Sequence, residues 1–172
     1  GDTPVCHGLY EGALAAVGAT LNGAECIARG EYDHVMTPGG GLHHARREKS
    51  AGFSVFNDLA VAVRRLQRKY GYERVAVIDI DGHHGDGTQS IFNGERILTI
   101  SFHRYGAGFY PGTGAATDYG EGDGEGYAIN VPVPRCTPDE VYVPTYERVL
   151  QAALEAYRPE IIIHQFGTDA HY

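Results

Sequence analysis

The sequence is poor in cysteine. Cys6, Cys26 and Cys136 are three in number and far apart. They form neither a disulfide framework nor a Cys-x-x-Cys metal pair, so a reduced cytoplasm is the expected setting. Positive charge is also scarce: 14 lysines and arginines face 22 aspartates and glutamates, for a net charge of -8. That balance argues against a direct nucleic-acid binder, which carries a basic face. It suits a cationic substrate, although solubility explains it equally well. No apolar run reaches the roughly 18 residues of a membrane span. The start shows no charged segment followed by an apolar one, so no secretory signal is visible. The chain also opens without a methionine, at Gly1, and closes on polar residues just after a strand pattern. Both ends therefore read as cut, and the chain as a piece of a longer polypeptide.

What is present is enough for one domain. The 172 residues are 42% apolar and 21% charged, the balance of a globular protein. Tyr10, Ala13, Leu14, Val17, Leu21, Ala24 and Ala28 recur at helical spacing until Gly30. Residues 33–38, DHVMTP, read as a short strand before three glycines. A second helix runs through NDLAVAVRRLQRKYG, with Asn57 as its cap and Gly71 as its stop. RVAVIDID, RILTISF and the shorter GYAINVPVP are continuous apolar runs, the mark of strands buried on both faces. Thr137–Glu140 reads as a capping box with proline at the first helical position, and Pro144 predicts a kink or a restart. EIIIHQFG reads as the last strand. Strands alternating with helices predict an α/β fold, an open parallel sheet with helices on both faces. The glycine-rich stretch Tyr105–Tyr127 is long for a loop, and its aromatics predict an ordered, functional one.

Ligands of such sheets bind beyond the carboxyl ends of the strands. Three polar clusters fall there: GGGLHH after the strand expected around Val35, DIDGHHGDG after Val77, and GTDAH after Ile163. Asp81 and His83 are two residues apart, so at a strand end both side chains point the same way. With Asp169 arriving from another strand end, they suit a divalent ion such as zinc or iron(II). An isolated Asp-x-His is more often a helix cap beside a satisfied histidine; three convergent strand ends reverse that weighting. The adjacent His43 and His44 need acceptors to orient them, and Asp79 and Asp86 are two carboxylates without another task. Metal, histidines and orienting aspartates are the equipment of metal-assisted hydrolysis.

In combination, GGGLHHARREKSAGFSVFND, VIDIDGHHGDGTQ, SFHRYGAGFYPGTG and QFGTDAH resemble successive blocks of the zinc-dependent histone deacetylase superfamily, in its bacterial acetoin-utilisation and class I branch. The resemblance covers nearly the whole chain. It implies a three-layer arginase/deacetylase-like sheet forming a single catalytic domain over residues 1–172, truncated at both ends. It implies Asp81, His83 and Asp169 as ligands of zinc, with iron(II) as the alternative ion. His43 and His44 match the catalytic pair, His44 as the base, with Asp79 orienting His43 and Asp86 orienting His44. Phe53 and Tyr110 match the aromatics lining a narrow acyl-lysine channel, Gly52 the glycine beside it, and Asp2 the rim aspartate that holds substrate backbone. For Phe53 and Tyr110, core packing is the competing reading. Asp79 with Ser101 matches a structural potassium site. The implied substrate is an acetylated lysine protein or a small acetylated amine, with no nucleic-acid or membrane partner.

The chain departs from the family pattern in places. The family's transition-state tyrosine stands in a glycine-rich loop well beyond the third ligand, and Tyr172 is not that residue. Leu42 stands where tryptophan is frequent, and Ser54 where cysteine is frequent. Two other readings compete: an acetylpolyamine amidohydrolase, and an acyl-lysine-binding remnant without catalysis. An arginase-type centre with two manganese ions would want more aspartates than this motif carries.

Overall fold

The structure is a computed structural model and describes residues 2–170; His171 and Tyr172 lie outside the described residues. These residues fall into two compact units, one of residues 2–73 with 86–91, the other of 74–85 with 92–170.

The first unit rests on two helices. α1, Leu9–Ala28, forms where the spacing predicts a helix, but its buried residues are Ala13, Thr20 and Gly23, while Tyr10 and Leu14 are exposed. α2, Asp58–Tyr70, begins where Asn57 accepts a hydrogen bond from the Ala60 N–H and ends at Gly71 in the left-handed region, as its cap and stop residues predict. Leu59, Ala62, Val63 and Leu66 share one face and are at most 3% exposed. Leu59, Val63 and Leu66 each contribute about 1.5–3 kcal/mol through burial. The short α3, Asp86–Phe92, opens in this unit and carries Asp86 in its first turn. The strand expected over residues 33–38 does not form. Gly23 of α1 instead lets that segment pack closely: a Cβ there would lie 3.0 Å from Val35 Cγ1. Val35 thus meets a helix rather than a sheet while Met36 stays exposed, and GGGLHH follows a segment without regular structure, not a strand.

The second unit is a parallel sheet of four strands: β1 Val75–Asp79, β2 Leu98–Arg104, β3 Ala128–Val133 and β4 Ile161–Gln165, in spatial order β3-β2-β1-β4. The central β1 is buried throughout and β2 almost so, which is why both read as unbroken apolar runs. β3 is only partly buried, so its apolar run marks an outer strand. α4, Asp139–Tyr157, covers one face of the sheet: Tyr142, Tyr146, Val149, Leu150 and Leu154 pack on Ile78, Ile100 and Phe102. It runs through Pro144 without a restart. Pro144 lies in the second turn, where little of the helix precedes it. The capping box is corrected too. Pro138 takes the cap position itself, and the Thr137 hydroxyl donates back to the Pro134 carbonyl.

The α/β class with an open parallel sheet agrees with the sequence reading. Among the described residues no helix is long and apolar enough to cross a membrane.

Candidate functional site

The carboxyl ends of β1 and β4 bring Asp81, His83 and Asp169 together. One donor atom from each lies within 4.8 Å of the others. His83 Nδ1 is 2.8 Å from Asp169 Oδ2 and 3.2 Å from Asp81 Oδ1. Parallel pairing creates this arrangement. Asp79 and Gln165 are register partners, so the residues just beyond them emerge side by side. Polar bonds then lace the two ends. The Gly82 N–H donates to Asp169 Oδ1 at 2.8 Å, the Asp81 N–H to Asp79 Oδ1 at 3.0 Å, and Gln165 Nε2 to Asp81 Oδ2 at 3.2 Å. Gln165 in turn accepts the Gly167 N–H. Residue 167 must be glycine, because any Cβ there would collide with the Asp81 carboxylate.

These residues fit a divalent ion. Two carboxylates and one imidazole are a mixed oxygen and nitrogen set suited to zinc or iron(II). The spacings around His83 Nδ1 resemble those between atoms that share one small cation. The Asp169 side chain is 48% exposed, which leaves this side accessible to water and substrate.

Around this group lie further candidates in the second unit. Tyr110 is 39% exposed and turns its ring edge to His83, centroids 6.1 Å apart, so it is not a core residue. Asp79 is 3% exposed and pairs in register with Ser101. The Ser101 hydroxyl meets His103 Nδ1 at 3.0 Å and accepts the Gly85 N–H at 3.4 Å. His103 is buried, hydrogen-bonded to the Gly114 carbonyl and tilted against His84. Burial, reinforced by His84, pulls the His103 pKa down from 6.5 to about 4. His84, for which the sequence suggests no role, bonds the Thr113 hydroxyl at 2.8 Å.

The first unit holds the histidine pair. His43 and His44 are 3% and 6% exposed, with ring centroids 4.0 Å apart. Asp86 Oδ1 sits 2.7 Å from His44 Nδ1, and Arg46 donates to Asp86 Oδ2 at 2.8 Å. Burial raises the Asp86 pKa, but the hydrogen bonds from His44 and Arg46 outweigh it and hold the carboxyl below its usual range. A carboxylate at Nδ1 places the proton there and leaves Nε2 of His44 as the acceptor.

The backbone of the pair is gripped from both sides. Asn57 Nδ2 donates to the carbonyls of His43 and Ala45 and to the Thr88 hydroxyl, and the Thr88 N–H donates to His43 O. Asp58, fully buried, accepts the Gly41 N–H at 2.9 Å, the Leu42 N–H at 2.7 Å and the Thr20 hydroxyl at 2.6 Å. Gly87 presses so closely on the His43–Ala45 backbone that a Cβ would meet the His43 carbonyl at 2.6 Å.

Asp2 and Gly52, predicted separately, are joined: the Gly52 N–H donates to Asp2 Oδ2 at 3.1 Å. Gly52 has φ +52° and lies against the His44 ring, where a side chain would clash. Phe53 follows at φ +63° and is 80% exposed, so it too is not a core residue. Sequence reasoning missed Asp58, Gln165, Arg104 and Phe109. Asn57 and Asp58 stand in a quoted block, but nothing in it marks them as holding the histidines.

These features define the class: an α/β protein whose parallel strands end in a candidate metal group and which carries a buried histidine pair, His44 of it held by a carboxylate. The profile described as Histone deacetylase domain matches residues 1–172, and the chain belongs to that family. It is 40% identical over 172 residues to the acetoin utilization protein AcuC of Bacillus subtilis (strain 168), covering 99% of this chain and 44% of that protein. It is 40% identical over 170 residues to histone deacetylase RPD3 of Saccharomyces cerevisiae (98% of this chain, 39% of that protein) and 37% identical over 169 residues to histone deacetylase 8 of Danio rerio (98% and 44%). The chain thus spans less than half the length of these relatives.

Proposed function

We propose that the protein carrying this chain is a metal-dependent amidohydrolase that removes acetyl groups from lysine side chains or small amines. The observation that carries the reading is the convergence of Asp81, His83 and Asp169 at the sheet's carboxyl edge, within a chain of this family. These three residues would hold zinc, with iron(II) as the alternative ion. Such an ion, when bound, polarises the scissile carbonyl and lowers the pKa of attacking water.

The chain's own groups do the rest. His44 takes the proton at Nε2, because Asp86 occupies its Nδ1 and stabilises the imidazolium that results. Arg46 keeps Asp86 ionised. His44 then returns that proton to the leaving amine, with His43, and Asp79 as its proposed orienting partner, completing the pair. Phe53 and Tyr110 would flank the apolar stem of the substrate, with Gly52 leaving it room; their exposure supports this over core packing. Asp2 would hold substrate backbone. Asp79 and Ser101 would contribute to a structural potassium site. The 172 residues would form part of one catalytic domain.

The test is hydrolysis of a fluorogenic acetyl-lysine peptide and of acetylspermidine by the full-length protein, with and without a chelator. Activity that the chelator abolishes and zinc or iron(II) restores is expected. Chelator-insensitive turnover, or none on either substrate with metal present, refutes the reading.

A further inference from the structure

His83 is held on its face as well as at Nδ1. The Phe109 ring lies flat on the imidazole, centroids 4.8 Å apart and planes 7° apart. The Arg104 guanidinium lies over the same phenyl ring, 4.1 Å from its centroid. Imidazole, phenyl ring and guanidinium thus contact in series. Arg104 is tied in a second way: its backbone N–H donates to the Gly82 carbonyl at 3.0 Å, between the ligands Asp81 and His83. Phe109 is the least exposed residue of the loop 105–110, so it folds inward while its neighbours face solvent. Gly108, at φ +73°, and the bond from the Phe109 N–H to the Gly106 carbonyl make the turn that aims it.

The contact has a physical purpose. The torsion that turns an imidazole about its stem is broad, so a ligand histidine needs something to fix its plane. Here a cavity of about 470 Å³, lined by Gly82, Arg104, Phe109 and Asp169 among others, runs beside the ligand group. With no phenyl ring in place, the imidazole would lose the support of that face, and its plane would rest on the contacts at Nδ1 and the edge of Tyr110.

We propose that Phe109, backed by Arg104, is a positioning residue for the metal, pinning the His83 imidazole so that Nδ1 points at the place shared with Asp81 and Asp169. This rests on the reading of those three residues as a divalent-ion site. Tyr110 meets the same imidazole only edge-on, so the two adjacent aromatics divide the work, Phe109 serving the ligand and Tyr110 facing the substrate.

The test uses the full-length protein stripped of metal and titrated with zinc against a chromogenic chelator, and with cobalt(II) read by its visible spectrum. Phe109→Leu is expected to weaken zinc binding about 10-fold and to alter the cobalt spectrum. Phe109→Tyr, which keeps the stack, is expected to retain both within about twofold. Arg104→Gln removes only the backing cation and is expected to weaken zinc binding about threefold, which gives a second measure where the leucine variant fails to fold. A folded Phe109→Leu protein with the parent's affinity and spectrum overturns the proposal, as does a tyrosine variant as impaired as the leucine one. A parent protein that takes up neither metal overturns the metal-site reading itself. A parent that binds normally alongside unaffected variants overturns only the role of Phe109.

Discussion

Replacing Asp58 tests whether the histidine loop is held by one buried carboxylate. Its side chain has no solvent exposure and accepts three hydrogen bonds, from Thr20 Oγ1 at 2.6 Å, Leu42 N at 2.7 Å and Gly41 N at 2.9 Å. A hydrogen bond to a charged acceptor contributes about 1.5–3 kcal/mol, and a stranded buried amide costs about 1–3 kcal/mol. The three are not additive, and Asp58→Ala should cost about 4 kcal/mol in all. Asp58→Asn keeps an acceptor oxygen but turns an amide NH2 toward donors, for a loss of about 2–3 kcal/mol. Thr20→Val removes one donor and should cost about 1 kcal/mol. Denaturant unfolding followed by circular dichroism measures all three. At about 2–4 °C per kcal/mol for a chain of this size, the alanine variant should melt about 8–16 °C lower. An Asp58→Ala protein within about 1 kcal/mol of the parent would show that Gly41 and Leu42 find other partners and that Asn57 and Thr88, rather than Asp58, hold the loop.

Two further expectations concern protons. His103 is neutral in the fold with a pKa of about 4, against 6.5 when unperturbed. Below about pH 6.5 the unfolded chain therefore takes up a proton that the folded chain refuses, and stability should fall by about 3 kcal/mol between pH 6.5 and 4, then level off. Asp86 acts lower down: its depressed pKa gives stability that is complete above about pH 4 and fades as pH falls through the folded value. Unfolding curves of the parent and His103→Gln across this range check the effect, and an unchanged slope in the variant would discount it. In turnover, Asp86→Asn should lower kcat about 100-fold or more at constant KM and metal content, because His44 loses the charge that stabilises its imidazolium. Loss of metal in that variant would instead place Asp86 among the ligands.

Much of the frame was legible because local signals agreed with tertiary demand. α2 carries its cap, its apolar face and its stop within fifteen residues, Asn57 to Gly71. β1 and β2 read as buried because they lie inside the sheet order. The segment 33–38 misled because its few apolar residues stay largely exposed: Val35 only brushes Gly23 of α1, and Met36 faces solvent, so no neighbouring strand is needed to cover them. Thr137 misled because its hydroxyl has a nearer acceptor, the Pro134 carbonyl, than the helix amides. At the site, the Asp81–His83 spacing is a local pattern and shows in the sequence. Gln165 and Asp58 act on residues 84 and 16 or more positions away, and nothing local marks them. Phe109 was hidden by Tyr110, since two adjacent aromatics look alike until the loop shows which one turns inward.

The lacing of the strand ends also has a kinetic side. The bond from Gly82 to Asp169 closes a sequence separation of 87 residues, and the one from Gln165 to Asp81 a separation of 84. Parallel pairing over such distances is slow, because chain entropy is lost before any contact compensates. In the second unit the donor atoms cannot meet until β4 has docked on β1. An ion added during refolding would find Asp81 and His83 early and Asp169 late. Its capture would report the docking of β4 on β1, and its binding energy would favour that long-range contact.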